Sequence, residues 1–137
     1  MLIVSGCLAD LNCRYDGTAK PCEKVIRLVA EGKAIPVCPE QLGGLPTPRI
    51  SAEIRGNRVI RKDGVDITEE FQHGAQEAMK LVNLIGARTA ILKARSPSCG
   101  FGQIYDGSFT GTLMMGNGVF AELCKKNGME VKTEEDI

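Results

Sequence analysis

Thr89-Ala90-Ile91-Leu92-Lys93-Ala94-Arg95-Ser96-Pro97-Ser98-Cys99-Gly100-Phe101-Gly102 is the stretch around which the rest of the chain falls into place. Its first residues, Thr89 to Leu92, are an apolar run that reads as a short buried strand. The character then changes abruptly, with two serines, a proline, a cysteine and two glycines in quick succession. Pro97 keeps Ser96 out of helical geometry, and Gly100 and Gly102 permit backbone angles that other residues resist. A thiol and hydroxyls at the carboxyl end of a buried strand stand where open α/β sheets hold their ligands.

The same grammar recurs on the N-terminal side. Leu2 to Ser5 reads as a buried strand that runs into Gly6-Cys7, and Ala34-Ile35-Pro36-Val37 as another that runs into Cys38-Pro39-Glu40. Between them a helix starts near Pro21, turns Val25, Leu28 and Val29 inward and stops at Gly32. Gln41 to Ser51 is a long loop with the composition of a binding loop. Glu53 to Lys62 forms a hairpin turning at Gly56-Asn57. Thr68 is placed to N-cap the clearest helix, in which Phe71, Ala75, Ala78, Val82 and Ile85 share a face and Gly86 ends the run. Beyond the opening stretch, Gln103 to Gly118 is a glycine-rich connection. A last helix covers Asn117 to Asn127, and Glu130-Val131-Lys132 forms an edge strand.

Strands alternating with helices argue for an α/β domain with a parallel sheet. The expected architecture is a three-layer, Rossmann-like domain over residues 1–137, with a short, mostly parallel sheet, helices on both faces and a small hairpin insertion. Right-handed crossovers put the carboxyl ends of parallel strands on one rim. Cys7, Cys38 and Cys99 then meet there.

Composition narrows the function classes. With 17 basic and 17 acidic residues among 137, the chain has no charge excess to attract a nucleic-acid polymer or an anionic membrane. Its apolar runs are too short to span a bilayer. Met1-Leu2-Ile3-Val4-Ser5 lacks the basic and long apolar regions of a signal peptide, so a cytoplasmic location is expected. Six cysteines in such a chain argue against a disulfide framework, because the cytosol keeps thiols reduced. Neither the paired spacing of a zinc ribbon nor a thioredoxin-type pair is present.

Thiolates are soft ligands, suited to zinc, copper(I) and iron–sulfur clusters. If Cys7, Cys38 and Cys99 alone bind a [4Fe-4S] cluster, one iron stays open as a Lewis acid. If Cys13 joins them, the cluster is closed, and electron transfer or a structural role fits better. Small buried cysteines without any metal are the plain alternative.

Six segments, in order, resemble the signatures of the DUF523 family, which includes the thiouracil desulfidases. They are Val4-Ser5-Gly6-Cys7-Leu8, Cys13-Arg14-Tyr15-Asp16-Gly17, Pro36-Val37-Cys38-Pro39-Glu40, Leu42-Gly43-Gly44-Leu45-Pro46-Thr47-Pro48-Arg49, Lys93 to Gly100, and Ile104-Tyr105-Asp106-Gly107. The likeness extends over nearly the whole chain. Gly6 and Ala9-Asp10 depart from it, standing where the family pattern has Ala and Leu-Gly.

The resemblance implies a [4Fe-4S] cluster held by three cysteines and removal of sulfur from a small thiolated nucleobase or nucleoside without net redox change. On that reading the substrate sulfur binds the open iron, water attacks the carbon, and sulfur leaves as sulfide. Glu40 matches the catalytic glutamate and Ser96 the catalytic serine, while Ser98, Arg49 and Lys93 are candidates for substrate binding. The rival readings are a non-catalytic cluster protein and a small-molecule binding domain with structural cysteines. Cys124 is expected in the core, Cys22 at a helix N-terminus without a partner, and His73 in solvent.

Overall fold

The computed structural model describes residues 1–137. Its central sheet is four-stranded and wholly parallel, with β1 (Leu2–Ser5), β2 (Ala34–Val37), β5 (Thr89–Leu92) and β8 (Glu130–Thr133) in the order β2-β1-β5-β8. Two antiparallel hairpins stand apart from it: β3 (Ala52–Arg55) with β4 (Arg58–Arg61), and β6 (Gln103–Tyr105) with β7 (Leu113–Met115). The helices are α1 (Glu23–Ala30), α2 (Pro39–Leu42), α3 (Thr68–Ile85) and α4 (Val119–Lys126). None is long and apolar enough to cross a membrane.

Strand side chains alternate between the two faces of the sheet, and each face has its own core. Ile3, Ala90 and Leu92 pack with Ala75, Ala78 and Val82 of α3 and with Phe120, Ala121 and Cys124 of α4. Val4, Ile91 and Ala34 pack on the other side with Val25 of α1 and with Cys7, Leu8 and Cys13. The three layers are therefore α3 and α4, the sheet, and α1 with the short 3-10 turn Gly6–Ala9. From β1 the chain reaches β2 on one side, then crosses to β5 on the other, so the topological switch lies between β1 and β5. Open α/β sheets place ligand crevices at that point.

The expected edge strand and the 53–62 hairpin are present, but the structure differs from the sequence reading elsewhere. Gln103 to Gly118 is no plain connection, since it contains β6 and β7. The first and last helices start at Glu23 and Val119, two residues after the expected Pro21 and Asn117. Thr68 does not cap α3. It lies inside the helix, 2% exposed, and its hydroxyl accepts the Val59 N–H at 2.8 Å. Asp66 does the capping work, its Oδ1 accepting the Thr68 N–H at 2.9 Å. A carboxylate reaches that orphan amide as well as a hydroxyl would, and leaves Thr68 free to tie the hairpin to the helix.

One close approach fixes α2. A Cβ on Gly74 of α3 would lie 1.8 Å from the Pro39 carbonyl oxygen, and one on Gly43 would lie 2.0 Å from that of Glu70. Two glycines thus let α2 sit directly against the backbone of α3, which sets the position of Glu40.

Candidate functional site

At the carboxyl ends of β1, β2 and β5 the structure opens a cavity of about 890 Å³. Cys7, Cys13, Cys38 and Cys99 all line it, together with Glu40, Arg49, Lys93 and Ser96. The convergence of Cys7, Cys38 and Cys99 follows from topology, because each comes after a parallel strand whose end faces the same rim.

Each thiol has its own environment. Burial pushes the Cys7 thiol up to about 11, with Lys93 opposing that rise. Burial also raises Cys99, offset in part by a hydrogen bond with the Ser5 side chain. The same Ser5 Oγ accepts the Lys93 N–H at 2.9 Å, so one buried hydroxyl ties β1 to the loop after β5. Cys13 and Cys38 form a pair in which hydrogen bonding from Cys13 brings Cys38 down to about 7 and raises Cys13 itself. With its proton on, Cys38 Sγ faces the Cys13 carbonyl at 3.6 Å.

Glu40 is held from one side. Its Oε1 accepts Arg49 Nε at 3.0 Å, while burial pushes the carboxyl above the ordinary range against the pull of that guanidinium. Arg49 is 7% exposed at its side chain and gives four of its five N–H donors to the protein. Nη1 donates to the Pro46 carbonyl and to Thr47 Oγ1, and Nη2 to the Cys13 carbonyl at 2.8 Å.

Ser96 Oγ accepts two backbone amides, Ser98 N–H at 3.1 Å and Cys99 N–H at 3.0 Å. Both lone pairs are engaged, and the hydroxyl proton is left to donate. Ser98, by contrast, is 2% exposed and does not reach the cavity wall. Its carbonyl accepts the Phe120 and Ala121 amides, and Gly118 packs so closely on it that a Cβ would fall 2.4 Å from Ser98 C. Ser98 seats the loop on the start of α4. Cys124 lies in the core, and the His73 side chain is 60% exposed. Cys22, the N-cap residue of α1, borders the cavity.

Several wall residues escaped the sequence reading. Glu134 lines the cavity and bonds Lys93. The signal for it was the parallel edge strand, whose carboxyl end must emerge on the same rim. Glu53 of β3 accepts the Gly107 and Phe109 amides at 3.0 and 3.1 Å, fixing the β6–β7 loop that brings Phe109 to the cavity. Gly107 has φ 92° and abuts the Ile54 carbonyl, so Ile104-Tyr105-Asp106-Gly107 reads as a docking turn. Nothing in the sequence announced that contact.

No three Cys, His, Asp or Glu side chains close on a point that a single metal ion would occupy. A four-iron cluster asks for something different, since its cysteines bind separate irons and stand apart around a space. Five cysteines line the cavity, with no histidine on its wall, and Cys7, Cys13, Cys38 and Cys99 among them form a soft donor set that fits such a cluster.

Fold and site together define a parallel α/β domain with a cysteine-lined cavity at its strand ends. The chain belongs to the 2-thiouracil desulfurase family, whose model matches residues 2–136. It is 41% identical over 147 residues to the uncharacterized protein YbbK of Bacillus subtilis (strain 168), covering 100% of this chain and 97% of that one. Among solved structures it is similar to the [4Fe-4S]-dependent thiouracil desulfidase TudS, with a TM-score of 0.95 and 44% identity. That match covers 99% of this chain and 91% of the TudS chain.

Proposed function

We propose that this protein removes sulfur from a small thiolated nucleobase or nucleoside of the thiouracil kind, with a [4Fe-4S] cluster held by Cys7, Cys38 and Cys99. The observation that carries the reading is the gathering of three strand-end thiols with Glu40 and Ser96 on one cavity, in a member of the desulfurase family. When bound, the cluster supplies a Lewis-acidic iron with an affinity for sulfur.

The reaction exchanges sulfur for the oxygen of water, and sulfur departs as sulfide with the water's protons, so no electron donor is needed. Glu40 is the group that moves those protons. Arg49 occupies Oε1 and leaves Oε2 to take a proton from water and return it to the departing sulfur. Desolvation raises its pKa, which suits a group that must both accept and release a proton. Ser96 donates its free hydroxyl proton to the substrate or the water. Lys93 reaches a substrate oxygen, and Arg49 holds Glu40 in place, with four of its five N–H donors given to the protein. Cys13 lies beside Cys38 as its hydrogen-bond partner, outside the ligand set. Free thiols throughout suit a reducing compartment, which we take to be the cytoplasm.

Anaerobic purification with iron and sulfide analysis is the first test, followed by sulfide release from 2- and 4-thiouracil. Glu40→Ala and Ser96→Ala are expected to keep iron and lose about 100-fold or more in turnover, the scale of a missing proton-transfer group. Replacing Cys7, Cys38 or Cys99 by Ala removes the iron, whereas Cys13→Ala retains it. A colourless, iron-free protein that releases no sulfide after anaerobic reconstitution overturns the proposal.

A further inference from the structure

The last residues of the chain are tied to the loop that follows β5. β8 lies parallel to β5 with Leu92 opposite Thr133, so the chain leaves β8 directly beside Lys93. A capping box then turns it: Thr133 N–H donates to Asp136 Oδ2 at 2.9 Å, and Glu135 N–H to Thr133 Oγ1 at 3.2 Å. The resulting 3-10 turn, Glu134–Asp136, presents successive carboxylates to successive loop residues. Glu134 Oε1 accepts the Ala94 N–H at 2.7 Å and Oε2 accepts Lys93 Nζ at 2.8 Å. Both oxygens of Glu135 take the Arg95 guanidinium, at 3.0 and 2.9 Å.

Two features show what this arrangement constrains. Arg95 has φ 66°, a left-handed conformation uncommon for a residue with a side chain, and it immediately precedes Ser96. Lys93 lines the cavity with its side chain only 16% exposed. Its ammonium has three donors. One goes to Glu134 and one to the Ala94 carbonyl at 3.2 Å, which leaves a single N–H.

We propose that Glu134 is a positioning residue of the site: it fixes the Lys93 ammonium and the Ala94 amide, so that the one remaining Lys93 N–H meets a hydrogen-bond acceptor of the substrate. This rests on the desulfuration reading for its substrate, but the tethering itself does not. A free Lys93 would sample many rotamers and bind that acceptor only in some of them, whereas a tethered one is pre-organised. Glu134 acts through Lys93 and touches no reacting atom.

The test uses anaerobically purified, cluster-loaded protein with Glu134→Ala, Glu134→Gln, Lys93→Ala and the Lys93→Ala/Glu134→Ala double variant. For thiouracil, Glu134→Ala is expected to raise KM about 5- to 10-fold with kcat changed less than about 3-fold. Glu134→Gln, whose one amide oxygen keeps one of the two acceptor contacts while its NH2 cannot accept the other, recovers part of the loss, less than half on a logarithmic scale. In KM the double variant matches Lys93→Ala, because Glu134 then holds only the Ala94 amide and has no substrate-facing donor left to position.

Hydrogen exchange supplies a readout independent of turnover. The 93–99 segment exchanges at least about 10-fold faster in Glu134→Ala, while β1 and β5 are unchanged and iron per chain is retained. Unaltered exchange and unaltered KM in Glu134→Ala overturn the proposal, as does a double variant whose effects simply add. If Glu134→Ala loses its iron, Glu134→Gln decides, and a wild-type KM with wild-type exchange and no effect of Lys93→Ala is again fatal. Absence of sulfide release by the wild-type protein, with the exchange result as expected, removes the desulfuration reading and leaves the tether standing.

Discussion

Two carboxylate–cation pairs line the cavity, and they are built differently. In Glu40–Arg49 the cation is committed to four protein acceptors, and the carboxylate keeps a free oxygen. In Glu134–Lys93 both carboxylate oxygens are taken, and the cation keeps a free donor. Arg suits the first task because its fork binds several acceptors in fixed directions, and Lys the second because a compact ammonium on a long stem leaves one hydrogen to spare. One pair thus offers the cavity a proton acceptor and the other a proton donor.

The sharpest way to break that contrast is to remove Arg49. Arg49→Ala strips the buried partner from Glu40 and leaves the Cys13 and Pro46 carbonyls without their donor. We expect a loss of about 3 kcal/mol, as for other broken, largely buried pairs, measured by denaturant unfolding of the apo-protein. Turnover falls with it, and Arg49→Lys restores only a fraction because a single ammonium cannot span those acceptors. A variant that is stable and active would show Arg49 to be an ordinary surface cation.

Gly74→Ala disturbs the same pair from behind. Alanine favours helix over glycine by about 1 kcal/mol, yet its Cβ has no room against the Pro39 carbonyl. The close approach wins, because backbone rather than a flexible side chain must move. A net loss of about 2 kcal/mol is expected. Sulfide release should drop more than stability suggests, since Glu40 is the neighbour of Pro39, while exchange in the 93–99 segment stays as in the wild type. Gain of stability in Gly74→Ala would mean that α2 shifts freely and that Glu40 is not held by this contact.

Lys93→Met should be milder. Glu134 keeps the Ala94 amide, and the methionine fills much of the space, so we expect about 1.5 kcal/mol, the low end for a charge-assisted hydrogen bond. Its main effect is on KM for the thiolated base. A loss as large as that of Arg49→Ala would erase the distinction between a structural cation and a substrate-facing one.

How far the sequence reaches depends on what kind of information a feature needs. The cysteine rim was readable, because alternation implies a parallel sheet and a parallel sheet aligns its strand ends. Ser98 was not, because a serine two residues from a proposed catalytic one looks identical whether it faces the cavity or Gly118. Nor was α2, whose few residues carry no helical period, or the β6–β7 hairpin, whose Leu113-Met114-Met115 is exposed throughout and shows no alternation. The departures from the family pattern also acquire a meaning. Asp10 has φ 71°, in the left-handed region where a glycine sits without strain and Asp at modest cost. A Cβ on Gly6 would stand 3.2 Å from Cys13 Sγ, close enough that an alanine there must nudge the thiol.

A third pair, outside the cavity, supplies the control. Asp66 Oδ2 accepts Arg58 Nε at 2.8 Å in open solvent, and its carboxyl is held down at about 2 by hydrogen bonds from Arg58 first and Thr68 second. A carboxyl with a folded-state pKa below its unfolded value near about 3.9 stabilises the fold above that value. The contribution is lost as pH falls from about 4 towards about 2, because the unfolded chain takes up the proton first. Asp66→Asn should therefore flatten this part of the acid unfolding curve and leave sulfide release at neutral pH unchanged. Salt weakens the exposed Asp66–Arg58 attraction but hardly reaches the cavity pairs, so raising ionic strength shrinks the Asp66→Asn effect while the Arg49→Ala effect persists. Equal salt sensitivity of the two would mean that water penetrates the cavity as freely as it bathes the surface. In that case neither Glu40 nor Lys93 would be held apart from solvent, and the division of labour between the pairs would fall.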